Sequence, residues 1–190
     1  MPTTKAIFVT TYTFDELSDK AKARAREWYR EGNDFFSEHV IDDAANMARI
    51  LGIDLDAKGE PQIYWSGFGS QGDGASFVGE YRCRPEACEE IMHAAPQDEE
   101  LYRIACGLEA CNGEEEPWAN IEHGSSHYCH ERSVRIVAQC DTVAELLRDF
   151  MRWIYRQLEA EYNYQNSDEQ VDEVIRVNEC EFTVDGQRGT

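Results

Sequence analysis

Basic residues are scarce in this chain. Eighteen lysines and arginines stand against 38 aspartates and glutamates, a formal net charge of −20 over 190 residues. A field of that sign repels nucleic-acid phosphates and anionic lipid surfaces, so direct binding to DNA, RNA or a membrane is not expected. Long apolar runs are missing as well, and none approaches the length of a membrane span. Met1 to Lys5 lead straight into a strand-like run, which reads as the absence of a secretory leader. The nucleophile elbow, the P-loop, the H-E-x-x-H pair and the kinase motifs are also absent. No repeat, low-complexity tract or long linker divides the chain, so one acidic domain over residues 1–190 is expected.

Cysteine is present but odd in number: Cys83, Cys88, Cys106, Cys111, Cys129, Cys140 and Cys180. Without a leader this fits free thiols in a reducing cytoplasm better than a disulfide framework. The expected location is therefore cytoplasmic.

Apolar periodicity sets the fold class. Lys5 to Tyr12 reads as a strand. Ser18 caps a helix that carries Leu17, Ala21, Ala25, Trp28 and Tyr29 on one stripe and ends at Gly32. Phe36, Val40, Ala44, Met47, Ala48 and Leu51 mark a second helix, stopped by Gly52. Gln62–Phe68 and Ala75–Cys83 read as strands joined by the loop GSQGDG. A helix over Pro96–Leu108 follows, then strands at about Trp118–Glu122 and Ser133–Cys140. Asp141 or Thr142 opens a long helix to about Tyr162. Asp168–Val177 is a shorter helix, and Cys180–Val184 a last strand. This order predicts an α+β fold, an antiparallel or mixed sheet of β-hairpins with helices packed on it.

Two segments carry side chains suited to chemistry. The first runs from Trp65 to Phe77 and holds Ser70, Gln71 and Asp73 among four glycines. It leads into a strand, lacks lysine and carries Asp73, so it does not read as a phosphate cradle. It reads as a shaped hairpin loop that can present polar groups. The second, Glu122 to Glu131, holds His123, His127, Tyr128, Cys129 and His130. These are zinc-ligand types, yet a structural zinc site draws paired ligands from two segments. The candidate second pairs, Cys83-x4-Cys88 and Cys106-x4-Cys111, partly occupy helices, where residues five apart do not share a face. No cofactor is expected. His123 or His130 with Asp73 could instead form an acid–base cluster, with Trp65, Ser70, Gln71 and Tyr128 around it.

The third feature is charge. Acids concentrate at Glu86, Glu89, Glu90, Asp98, Glu99, Glu100, Glu114, Glu115 and Glu116, and again at Glu159, Glu161, Asp168, Glu169, Asp172 and Glu173. Carboxylates spaced along rigid helices can imitate nucleic-acid phosphates and fill a basic groove, an attraction that salt weakens. The plainer reading is a pair of solvated helix faces.

Three blocks taken together, FDELSDKAKARAREWYREG, WSGFGSQGDGASFVGEY and HGSSHYCHERSV, span Phe14 to Val134. In this combination the chain resembles a family of uncharacterised proteins from phages, prophages and mobile elements, some labelled antitoxin-like. The resemblance implies an accessory protein and no settled chemistry. By analogy with small acidic phage proteins, it implies an inhibitor of a host defence complex, of anti-CRISPR or DNA-mimic type. The expected partner is a basic protein or nucleic-acid-binding complex, and no catalytic residue is assigned. The alternatives are an enzyme or metal-dependent module built on the Gln71, Asp73, His123, His130 cluster, and an antitoxin-like interaction protein.

Overall fold

The computed structural model describes residues 10–55, 62–111, 117–124 and 128–189. Most of the strand expected over Lys5–Tyr12 lies outside the described residues. The fold is α+β. The chain forms two compact units, Met1–Phe36 with Glu161–Thr190, and Ser37–Ala160.

The first unit joins the two ends of the chain. β1 (Tyr12–Thr13) pairs antiparallel with β8 (Glu181–Phe182), Tyr12 opposite Phe182. A 3-10 turn, Phe14–Glu16, follows β1. The Glu16 carboxylate accepts the Thr13 amide at 2.8 Å and satisfies a donor the turn leaves open. α1 (Asp19–Gly32) opens at Ser18, whose hydroxyl accepts the Ala21 amide. α6 (Asp168–Val177) is capped the same way by Ser167. Ala21 and Ala25 of α1 and Val171 and Ile175 of α6 are buried with Phe14, Leu17 and Phe182. The small alanines of α1 let α6 approach closely. Arg26 fastens the pair with a two-pronged bond to Asp172, at 2.6 and 2.7 Å.

The second unit is a four-stranded antiparallel sheet in the order β2-β5-β6-β7, with a separate hairpin β3-β4. The strands are β2 (Ile53–Asp54), β3 (Ile63–Ser66), β4 (Gly74–Phe77), β5 (Gly79–Arg82), β6 (Trp118–His123) and β7 (Val134–Ala138). The strand expected over Ala75–Cys83 is thus two strands in two sheets, divided at Val78. Gly79 has φ +153°, and a Cβ there would stand 2.0 Å from the Asp54 carbonyl oxygen. Only glycine lets the chain change sheets so close to β2.

α2 (Glu38–Leu51) buries Val40, Ala44, Ala48 and Leu51 and ends on left-handed Gly52. Phe36, expected on that buried stripe, is exposed and precedes the helix. α3 (Ala87–Ala94) was not anticipated. It packs on α4 (Glu99–Ala110). α5 (Asp141–Gln165) is 25 residues long, and Val143, Leu147, Phe150, Ile154 and Leu158 form its buried stripe. Among the described residues no helix is long and apolar enough to cross a membrane.

Cysteine pairing corrects one expectation. Cys88 of α3 and Cys106 of α4 form a disulfide, their Cα atoms 4.9 Å apart. The spacing of 18 residues conceals a contact made by the turn between the two helices.

Candidate functional site

The glycine-rich loop between β3 and β4 is held from both sides. Inside it, the Asp73 carboxylate accepts the Ser70 amide at 2.6 Å, and the Asp73 amide donates to the Ser70 carbonyl at 3.1 Å. Asp73 therefore shapes its own turn, as aspartate in such loops does. Outside it, the Tyr155 hydroxyl on α5 donates to the Gly67 carbonyl at 3.1 Å. The Tyr155 ring lies 5.6 Å from Phe68, which stacks on Trp65 at 5.5 Å. Burial, with Glu159 and Asp73 nearby, raises the Tyr155 pKa and keeps the phenol protonated as a donor.

The segment after β6 meets this loop. A Cβ on Gly72 would touch the Tyr128 ring at 3.0 Å, and one on Gly74 would stand 2.9 Å from the His130 Cα. Glycine at 72 and 74 is what admits these two residues. The two polar segments singled out in the sequence thus come together at Gly72, Gly74, Tyr128 and His130.

Beneath this contact lies Glu131, a carboxylate only 8% exposed. Its Oε2 is 2.8 Å from His130 Nδ1, and its Oε1 accepts from Arg152 of α5 at 3.1 Å. The Arg132 amide also lies 3.2 Å from His130 Nδ1. Nδ1 is thus approached both by a carboxylate oxygen and by the Arg132 N–H, which donates to it. The ring is partly open to solvent. Arg152 also binds Asp149, which Arg103 grips from α4 at 2.9 Å. Burial pushes the Asp149 pKa up, but the bonds from Arg152 and Arg103 outweigh it and hold the net value below the ordinary carboxylate range.

The remaining candidates are placed as follows. His123 lies elsewhere: its ring packs on Tyr64 at 4.7 Å and borders a cavity of about 460 Å³ with Asp54, Glu80, Asn120 and Glu122. Among the described residues no contact joins it to His130. Gln71 is exposed on its loop. His127 lies outside the described residues, as do Glu114, Glu115 and Glu116. Among the described residues no group of three or more histidine, cysteine or acidic side chains is placed to hold a metal ion. Glu131, Arg152 and Tyr155 were not singled out from sequence. The one signal for Arg152 was the row Arg148, Arg152, Arg156 at helical spacing on α5.

The acidic candidates divide into two kinds. Some hold the fold. Asp98 caps α4 through the Leu101 amide at 2.8 Å and accepts the Trp153 indole at 2.6 Å. Asp172 and Asp168 bind Arg26 and Arg30. Glu90 binds Arg84 at 2.8 Å, Glu100 binds Arg156, and Glu161 accepts from Gln165. Glu89 stands 3.8 Å from His93, and Glu86 is the left-handed residue that opens α3. Others are solvated: Glu99, Glu159, Glu169 and Glu173 are exposed.

Residues 36–168 match the model of a domain of unknown function, DUF8835. The chain belongs to the DUF8835 family. The match takes in the β3–β4 loop, His130, Glu131 and Arg152, so the site described above lies within the DUF8835 domain. No curated protein and no solved structure matches the chain.

Proposed function

We propose that this DUF8835 protein acts by binding, as an inhibitor or antitoxin-like accessory protein, the basic surface of a nucleic-acid-binding complex. In the role its sequence resemblance suggests, it is carried by a phage or mobile element and blocks a host defence complex. What supports the reading is how the few cations are used. In the unit Ser37–Ala160, Arg84, Arg103, Arg132, Arg148, Arg152 and Arg156 each bind a carboxylate of that unit. In the other unit, Arg24, Arg26, Arg30 and Arg176 do the same. The cations serve as internal ties, so the excess of acid falls on solvated side chains such as Glu99, Glu159, Glu169 and Glu173. Uncompensated charge on helices attracts a basic groove over a long range and in a salt-sensitive way. The test is capture from bacterial lysates carrying defence systems, washed at low and high salt. The reading expects a cationic nucleic-acid-binding complex that high salt releases. Capture that ignores both salt and reversal of the exposed acids contradicts it.

The convergence of Gly72, Gly74, Tyr128 and His130 favours a second reading. His130, with Nδ1 beside Glu131 and the Arg132 amide on a ring partly open to solvent, has the form of a general base or a ligand-binding imidazole. A thermal-shift screen of small ligands on the protein and on H130A tests it. A ligand that stabilises the protein but not H130A supports a site at this contact, and ligands that stabilise both equally count against it.

A further inference from the structure

Three of the remaining cysteines, far apart in sequence, gather at one end of the four-stranded sheet. The Cys83 amide donates to the Pro117 carbonyl at 2.9 Å, continuing the row beyond Arg82 opposite Trp118. The Gln139 amide donates to the Trp118 carbonyl at 3.0 Å, continuing the rows beyond Ala119 opposite Ala138. Cys83 and Cys140 therefore extend the two strands that flank Pro117. In that register Tyr81, Ala119 and Ala138 share one face of the sheet, and Cys83 and Cys140 follow Tyr81 and Ala138 by two residues. Cys111 caps the C-terminal end of α4, and its thiol donates to the Gly107 carbonyl at 3.2 Å. It is within hydrogen-bond reach of Cys140 and close enough to Cys83 to feel its charge. Cys83 is in turn bonded by the Tyr81 phenol.

The three differ in access. Cys140 is exposed, while Cys111 and Cys83 are half-buried. Burial, and then the neighbouring Cys140, push the Cys111 thiol up. An exposed thiol beside a shielded partner is the arrangement of an attacking and a resolving cysteine. Neither belongs to the His130 contact, and neither is needed for charge-driven binding.

We propose that Cys111 and Cys140 form a redox-active dithiol, which small-molecule disulfides of the glutathione class oxidise to an intramolecular disulfide. The Cys140 thiolate attacks one sulfur of the disulfide. That S–S bond breaks, one thiolate leaves and takes a proton from solvent, and Cys140 carries a mixed disulfide. Cys111 then loses its proton to solvent and attacks the Cys140 sulfur, expelling the second thiolate. Two protein thiols have become one disulfide, and the oxidant has become two thiols. The sulfurs need only close from hydrogen-bond range to the bonded distance of about 2.05 Å. The bond would tie the end of α4 to the residue that precedes α5, beside the ion pairs Arg103–Asp149 and Glu100–Arg156 that already join the two helices.

The experiment uses the full chain, reduced, desalted and exposed to oxidised glutathione. Free thiols are then alkylated and the peptides mapped by mass spectrometry. The Cys88–Cys106 peptide pair reports that oxidation took place. The expected product is a linked Cys111–Cys140 pair, with Cys83 still alkylated. In C111S, Cys140 retains a stable glutathione adduct. In C140S, modification of Cys111 falls at least tenfold, and C83S behaves as the parent. If Cys88–Cys106 forms while Cys111 and Cys140 stay alkylated, or if Cys83 replaces Cys140 as the partner of Cys111, the proposal is overturned.

Discussion

Glu131 Oε2 lies 2.8 Å from His130 Nδ1, and this pair joins the loop after β6 to α5 through Arg152. Because Glu131 is buried, its loss leaves Arg152 and the imidazole short of a partner. E131A is expected to lower stability by about 1–3 kcal/mol, read from urea unfolding. H130A removes a part-exposed partner and is expected to cost less than about 1 kcal/mol. Equal losses in the two variants would mean that burial of the carboxylate is not what matters.

Asp149 adds a pH dependence. Its folded pKa is held below that of the unfolded chain, about 3.9. Its contribution is therefore complete above about pH 4 and is lost as pH falls through the lower folded value. D149N is expected to be less stable at pH 7, with a shallower decline on acidification than the parent. Parallel stability–pH curves for the two proteins would contradict this.

In the unit built from the chain ends, R26A removes a two-pronged bond to Asp172 and a cation over the Phe14 ring. A cost of about 1–3 kcal/mol is expected, since charge-assisted bonds exceed neutral ones. R26K keeps the charge but not the fork and should recover only part of the loss in the same denaturation assay.

Gly79 and Gly69 separate two effects of a Cβ. Both have positive φ, but the Cβ of G79A would collide with the Asp54 carbonyl, while that of G69A meets nothing within 4 Å. G79A is expected to cost more than about 3 kcal/mol, and G69A about 1 kcal/mol from backbone strain alone. Circular dichroism melts give the order, and a G69A variant as unstable as G79A would refute it.

Much of the fold was legible because its signals are local. Ser18 and Ser167 cap α1 and α6 through their own hydroxyls, and Gly52 ends α2 in the left-handed form. α6 occupies the predicted residues Asp168–Val177. α3 escaped notice because it is eight residues long, follows Pro85 and starts at a left-handed glutamate rather than a conventional cap. The split at Val78 escaped because it depends on how closely Asp54 approaches Gly79, a contact between separate segments. At the site, the glycines announced a shaped loop, and Tyr128 and His130 were in view. Glu131 read as one more acid in an acidic chain, and only the fold shows that it is buried beneath Arg152.

The central claim, binding through uncompensated acid, is tested most directly by E159K/E169K/E173K. These side chains are exposed, and among the described residues none makes a hydrogen bond or ion pair that holds the fold together. The tagged parent and the variant are compared in capture from lysates carrying defence systems, at low salt. The account predicts that the parent retains a cationic nucleic-acid-binding complex, and that the variant, folded by circular dichroism, loses at least tenfold of it. Equal recovery by the two would show that the acidic helices are solvated faces and not the means of binding.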